Sequence, residues 1–374
     1  MHAFLAADGC EATLLEELRR THPGFHQAQT PGLIQSEFDA DWNQSLPPLV
    51  FLRQALFQAV PLKVDSIRLA AEIVFDQLVQ VLPESQPWRF HCVAHYGARD
   101  PGSPGARARF TQARFRRTPD PSSPEANKTA DAGQHRCHLI EEALVELLQR
   151  KRRHLGRQRV DSTDPFATTE SFVQLLLTSP TQGLLSIHLA PGPSRQPRWV
   201  VPFQKGDIPI AVDKAAPSRA FAKLVESEIR MGRKIQAGEF CVDLGAAPGS
   251  WSYLALQRGA HVTAVDRAHL RDDLMDHSKL EFVQGDAFNY VPSRMVDWLL
   301  CDVIAAPERC AQLVIDWTRQ KRCRRFVVTI KFSGAADLNA IQNLKRELAE
   351  VCPEFFLQRL CANKNEACVF GAIV

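Results

Sequence analysis

The chain has 374 residues, 45% apolar and 23% charged, which predicts two or three packed domains and excludes a wholly disordered or fibrous protein. No apolar run approaches the roughly 18 residues of a membrane span, and the start MHAFLAADGCEATLLEELRR has no basic segment leading into a long apolar one. Ten cysteines without a C-x-x-C spacing then point to reduced thiols in a cytoplasmic protein, with no membrane and no metal.

Residues 3–20 read as a short strand followed by an amphipathic helix with Ala12, Leu14, Leu15 and Leu18 on one side. Further β and α patterns run to about residue 82, with LVFLRQALFQAV as a buried piece, and WRFHCVAHYG (88–97) reads as a strand. The stretch 97–135 is rich in Pro, Gly, Ser and Arg, the composition of an inserted loop. A helix is predicted at about 137–154, and SFVQLLLTSPTQGLLSIHLA reads as a hairpin turning at SPTQG. The four prolines of PGPSRQPRWVVP (191–202) mark a boundary. This organisation predicts parts at 1–82, 83–203 and 204–374.

The net charge of +3 conceals a local concentration, since Arg99 to Arg159 holds 14 Lys/Arg against 7 Asp/Glu. In RARFTQARFRR, residues Arg107, Arg109, Arg114, Arg116 and Arg117 are interleaved with Phe110 and Phe115. A second run begins at Arg150, Lys151, Arg152 and Arg153, at the end of the predicted helix. Basic residues mixed with aromatics suit phosphate contact and base stacking. The competing reading of the second run is that cations at a helix C-terminus complement the macrodipole. Two clusters within 60 residues of an otherwise slightly acidic chain favour a polyanion, and these nine residues are the candidates to bind it.

After residue 205 strands alternate with helices. EFCVDLG, HVTAVD, LEFVQGD, VDWLLCD and RFVVTIK are strand candidates, separated by helical stretches near 250–258, 307–321 and 337–351. That alternation predicts a doubly wound parallel sheet with its ligand beyond the carboxyl ends of the strands. The sharpest signal is CVDLGAAPGSW (241–251), a strand ending in Asp243 followed by Gly245 and Gly249 around a turn into a helix. Glycines there let a ligand approach the backbone, and the helix start favours negative charge. The dinucleotide fingerprint G-x-G-x-x-G is poorly matched by G-A-A-P-G-S. Asp266, 23 residues after Asp243, suits ribose hydroxyls, and Asp286 suits an adenine amino group.

These residues resemble the FtsJ-type ribose 2'-O-methyltransferases, whose D-L-G-A-A-P-G-x-W loop is D-L-G-A-A-P-G-S-W here, with Ser250 in place of the usual second glycine. The resemblance implies an α/β fold with a C-terminal Rossmann-like methyltransferase sheet and S-adenosyl-L-methionine as cofactor. That cofactor would lie against Ala220, Gly245, Ala247, Pro248, Gly249, Ser250, Trp251, Asp266, Asp286 and Asp302. It also implies a catalytic Lys-Asp-Lys-Glu tetrad. S-R-A-F-A-K-L (218–224) supplies Lys223, the fourth strand ends in Asp302, the fifth in Lys331, and the C-terminal hairpin supplies Glu366. A ribose hydroxyl is a very weak acid, so its methylation needs a base and electrostatic help for the alkoxide. An ordinary lysine (reference pKa about 10.4) is protonated at neutral pH, and a second lysine nearby disfavours the charged form. Lys331 is the candidate base. Amino methyltransferases and cysteine-dependent C5-methyltransferases fit less well, because the fourth strand ends C-D-V-I-A-A-P with Cys301 inside it.

With A-A-P-S-R at 215–219 and F-L-R-Q at 51–54, an FtsJ-type domain preceded by about 200 residues is similar to the bacterial 23S rRNA cytidine 2'-O-ribose methyltransferases, specifically over residues 213–374. That similarity implies a ferredoxin-like α+β part at 1–82 and a THUMP-like RNA-binding part at 83–203. The implied partner is 23S rRNA before full assembly of the 50S particle. An RNA-binding assembly factor with a vestigial methyltransferase domain, and a tRNA methyltransferase, are the competing readings; the oligomeric state is left open.

Overall fold

A computed structural model describes residues 1–39, 47–96, 133–161, 169–190, 199–352 and 354–373. The chain forms two compact units, Met1–Pro47 with Phe51–Ile208, and Pro48–Val50 with Pro209–Val374.

The N-terminal unit contains two four-stranded sheets. The first comprises β1 (His2–Ala6), β2 (Phe25–Thr30), β3 (Leu33–Glu37) and β4 (Leu52–Leu56), in the order β2-β3-β1-β4 with every pair antiparallel. Helix α1 (Glu11–Thr21) follows β1 and buries Leu14, Glu17 and Leu18. Ala12, expected on the inner face, is exposed, and Glu17 takes an inner place because its carboxylate accepts from Phe51 N (3.3 Å). The second sheet comprises β5 (Val60–Lys63), β6 (Trp88–Ala94), β7 (Ser171–Ser179) and β8 (Gln182–His188), in the order β5-β8-β7-β6. Its helices are α2 (Ile67–Val81) and α3 (Gln134–Lys151), with the short α4 (Arg153–Arg157) after them. The 3.6-residue period places Cys137, Ile140, Leu144 and Leu148 of α3 on one buried stripe against Phe75, Leu78, Trp88 and Val173.

The expected division at 82/83 runs through this second sheet, because β5 and α2 precede it and β6 to β8 follow it. No local signal tells β5 that its partner is β8, more than 100 residues later. Polar groups fasten the two sheets of this unit. Gln54 on β4 donates to Gln174 on β7 (2.8 Å) and Ser186 on β8 donates to the Phe57 carbonyl (2.6 Å). The Ser186 oxygen also lies 3.0 Å from His188 Nε2.

The C-terminal unit is one seven-stranded sheet flanked by helices. In chain order it contains α5 (Phe221–Met231), β9 (Phe240–Leu244), α6 (Ser250–Gln257), β10 (His261–Asp266), α7 (Asp272–Met275) and β11 (Leu280–Gln284). Then follow β12 (Val296–Cys301), α8 (Pro307–Arg319), β13 (Cys323–Lys331), α9 (Leu338–Val351), β14 (Phe355–Gln358) and β15 (Glu366–Ala372). The order is β11-β10-β9-β12-β13-β15-β14, with β9 to β13 parallel and β15 antiparallel to both neighbours. The sheet is therefore mixed, where a parallel one was expected, because a short loop returns β14 directly into β15. The central strands β9, β12 and β13 are the most deeply buried, as their apolar runs require, whereas β11 at the edge has no fully buried residue. The order reverses between β9 and β12, which opens the ligand crevice of such sheets at the carboxyl ends of those two strands.

Candidate active site

Strand register builds the acid–base cluster. β13 pairs with β15 so that Lys331 lies directly opposite Glu366, a cross-strand pair of opposite charge. β12 pairs with β13 on its other side and ends one residue before Asp302. The first turn of α5 contributes Lys223. The Lys223 ammonium donates to both Asp302 carboxylate oxygens at 2.9 Å and lies 2.9 Å from Glu366 Oε1. The Lys331 ammonium donates to the Asp302 carbonyl (2.9 Å), and lies 3.1 Å from Asp302 Oδ1 and 4.0 Å from Glu366 Oε2. All four expected residues thus meet, two cations against two carboxylates.

Their surroundings differ. The Lys223 side chain is 9% exposed and that of Lys331 is 23% exposed. Burial works against the Lys223 ammonium, but Asp302 and Glu366 outweigh it and hold that lysine above its ordinary value. The expected mutual lowering of two lysines therefore does not govern Lys223, whose nearest partners are acids.

Several residues that support the cluster carry no local sequence signal. Asn363 donates to Glu366 Oε1 (3.3 Å) while its own carbonyl accepts from Leu360 N (2.7 Å). Helix α5 is clamped by Glu226, fully buried, which accepts from Arg230 (2.8 Å) and from Cys361 N (2.8 Å); Arg230 also reaches Gln358 (3.0 Å). Cys301 is fully buried and burial pushes its thiol up, which leaves no thiolate there for nucleophilic attack.

The glycine loop stands beside the cluster at the crevice. Gly245 (φ 71°) and Gly249 (φ 105°) adopt left-handed backbone, and a Cβ would meet Val303 at 2.8 Å and Leu274 at 2.5 Å respectively. Both glycines are thus required by the fold itself. Asp243 points under the loop, where its carboxylate accepts from Ser252 N (2.9 Å) and Ser252 Oγ (2.7 Å). Burial lifts that carboxyl to about 7 against the pull of the two hydrogen bonds. A folded value above the unfolded one means a stabilising contribution that is full below about pH 4 and lost as pH rises through 7. Asp243→Asn keeps an acceptor for Ser252 and is expected to remove that dependence. Calorimetric melts from pH 4 to pH 8 should show a wild-type loss on the order of 3 kcal/mol relative to the variant.

Asp266 and Asp286 lie at the ends of the next two strands, as expected. Asp266 accepts from Ala247 N and Ala268 N, each at 2.9 Å. Asp286 accepts from Phe288 N (2.9 Å) and from Arg267 (2.6 Å), which together hold its carboxyl below the usual range. Each carboxylate oxygen has a further lone pair, so this donor and acceptor set fits a nucleoside cofactor. Ala247 is half-buried and Pro248 exposed on the crest of the loop. The Trp251 indole is buried and donates to the Ala220 carbonyl (2.7 Å), which joins α6 to the start of α5. Ser250 is likewise buried, with its hydroxyl 2.7 Å from that of Ser218.

Among the RNA-binding candidates, Arg107, Arg109, Arg114, Arg116 and Arg117 lie outside the described residues. Arg150, Lys151, Arg152 and Arg153 are exposed around the junction of α3 and α4. Arg152 lies 3.3 Å from Glu84, Arg150 lies 3.9 Å from Glu146, and Arg153 donates to the Gln149 carbonyl. Among the described residues no helix is long and apolar enough to cross a membrane, and no three His, Cys, Asp or Glu are grouped to hold a metal ion.

Residues 216–367 match the family model of FtsJ-like methyltransferases. The chain is 32% identical over 209 residues to a protein of Thauera aminoaromatica named ribosomal RNA large subunit methyltransferase M, covering 53% of this chain and 56% of that one. A protein of the same name from Marinobacter nauticus is 38% identical over 136 residues, 35% of this chain and 38% of the relative. The chain spans about half the length of the curated relatives it matches first. The solved Methanococcus jannaschii fibrillarin pre-rRNA processing protein aligns at 17% identity over 40% of this chain and 74% of its own, with a TM-score of 0.30, too low to support an argument. Residues 216–367 are therefore similar to the FtsJ-like methyltransferases, over the sheet that carries the glycine loop and the acid–base cluster.

Proposed function

We propose that the protein transfers a methyl group from S-adenosylmethionine to a ribose 2'-hydroxyl of large-subunit ribosomal RNA, a cytidine of 23S rRNA, before the particle is fully assembled. The observation that carries this reading is the convergence of Lys223, Asp302, Lys331 and Glu366 beside the glycine loop. The cofactor supplies a methyl group on a sulfonium, a good leaving group that needs no covalent enzyme intermediate.

The cluster supports one division of the proton chemistry. Lys223 is held charged between two carboxylates and is the poorer base. Lys331 is more open to solvent and is the group that takes the proton of the 2'-hydroxyl. Asp302 and Glu366 aim both amines, and the Lys223 ammonium stabilises the alkoxide as it develops. Asp266 and Asp286 hold the ribose and adenine ends of the cofactor, with Gly245, Ala247, Pro248, Gly249 and the backbone around Ala220, Ser250 and Trp251 forming its methionine side.

The N-terminal unit is read as the RNA-binding part, with ferredoxin-like and THUMP-like portions. The strand order β2-β3-β1-β4 and the exposed cations Arg150 to Arg153 support that reading. Neutralising Arg114, Arg116 and Arg117 together is expected to weaken RNA binding and to lower the slope of log K against log salt by about 2 to 3. Filter binding between 50 and 300 mM salt checks this; an unchanged slope returns those arginines to solvated loop charges.

The decisive experiment incubates the protein with tritiated S-adenosylmethionine and 23S rRNA from a strain lacking it, with tRNA and intact 50S particles in parallel. One 2'-O-methylcytidine in naked 23S rRNA is the expected product. Label in tRNA alone keeps the chemistry and overturns the substrate. No label on any RNA, with cofactor still bound, turns the reading to an RNA-binding assembly factor.

A further inference from the structure

The loop between β12 and α8 leaves one large apolar side chain without packing. Its first residue is Asp302, and Val303 turns inward onto Gly245. Ile304 then turns outward and is 89% exposed, more than any other large hydrophobic residue described. Helix α8 starts at Pro307, and on its first turn the Arg309 guanidinium lies 4.0 Å from the centre of the Phe288 ring while remaining open to solvent. Phe288 follows Asp286 and donates its amide to that carboxylate. One short loop thus presents an apolar side chain and a planar cation immediately beyond the acid–base cluster.

Isolated surface isoleucines are common and need no explanation. Ile304 differs by position, since two residues limit its Cα to within about 7.6 Å of that of Asp302. A nucleotide whose ribose reaches Lys331 must bring its own base, or a neighbouring one, into that range. We propose that Ile304 is a substrate-contacting residue, an apolar wedge against a base of the single-stranded RNA in the site, with Arg309 beside it on a phosphate. Both residue types have that use in nucleic-acid recognition, apolar side chains inserting between bases and arginine pairing with the backbone. The inference rests on the ribose methyltransferase reading and names the residues of that site which grip the acceptor strand.

Ile304→Ser is expected to raise KM for transcribed 23S rRNA about tenfold, the loss of one buried aliphatic contact. Its kcat, cofactor dissociation constant and melting temperature should stay within error of wild type, because the side chain packs against nothing. Ile304→Leu should recover most of the loss. The salt slope of RNA binding should be unchanged in Ile304→Ser and lower by about 0.7 in Arg309→Gln. An Ile304→Ser enzyme with wild-type KM for RNA overturns the proposal, and so does a fall in kcat and cofactor affinity together, which marks a structural role. Wild-type protein that methylates no RNA overturns the functional reading and this inference with it; active wild-type protein indifferent to Ile304→Ser overturns the inference alone.

Discussion

Lys331→Ala is expected to lower single-turnover methyl transfer by about a thousandfold or more, the range spanned by general-base groups, with cofactor binding changed less than threefold. The expectation follows from the division of labour between the two lysines. Lys223 is tied to both carboxylates and held charged, whereas Lys331 reaches the Asp302 carbonyl and is the more exposed of the two, at 23%. Truncating Lys331 leaves the glycine loop, Asp266 and Asp286 untouched, so calorimetric titration with S-adenosylmethionine should give a near wild-type constant. Lys331→Arg separates two roles of the same side chain. Guanidinium keeps the positive charge and does not give up its proton in proteins, so it supplies electrostatic help without acting as a base. An inactive arginine variant supports proton removal by Lys331. An arginine variant close to wild type assigns the residue to charge stabilisation, and an alanine variant with full activity removes it from the chemistry.

The parts of this site that were legible in the sequence are those with chemistry written into a short segment. D-L-G-A-A-P-G-S-W announced a strand, a turn and a helix, and β9, Gly245 to Gly249 and α6 follow it residue by residue. Lys223, Asp302, Lys331 and Glu366 were found through a resemblance, and only the β13–β15 register explains why residues 35 apart face one another. What stayed hidden is long-range. The Glu226–Arg230–Gln358–Cys361 clamp joins residues more than 120 apart, and no spacing rule predicts it. The glycines were read as room for a ligand, yet Val303 and Leu274 already occupy the space beside them. In the N-terminal half, β5 reads as V-P-L-K, largely exposed and with a proline, so its sequence does not reveal that it edges the second sheet rather than the first. The indole of Trp251 was hidden for a related reason: nothing in the segment says that it is buried and bonded to the Ala220 carbonyl.

Acid should unfold the N-terminal unit well before it disturbs the methyltransferase sheet. His91 on β6 is buried edge-on to Phe172, with ring centres 5.0 Å apart, and His188 on β8 is buried among Ser186, Gln174 and Phe57. Burial, with the nearby Arg89 cation, depresses His91 to about 4, and burial with His2 nearby depresses His188 to about 3. An unfolded histidine titrates near 6.5. Above that value neither state binds the proton and the two residues leave stability unchanged. Between about pH 6.5 and 4 the unfolded chain takes up protons that the folded unit refuses, so stability falls as pH falls. At pH 4 the two groups together should cost on the order of 6 kcal/mol, most of the stability of an ordinary domain. The seam that joins the two sheets is where the damage should begin, because a charged His188 would donate from both nitrogens inside a site built for a neutral ring. Hydrogen exchange at pH 7.5, 5 and 4 should show early loss of protection in β4, β7 and β8 while β9, β12 and β13 remain protected. His91→Phe, which keeps a ring of similar shape and has no proton to gain, should recover about half of the loss at pH 4. Equal acid sensitivity in wild type and His91→Phe would mean that His91 titrates normally and that other groups drive the transition.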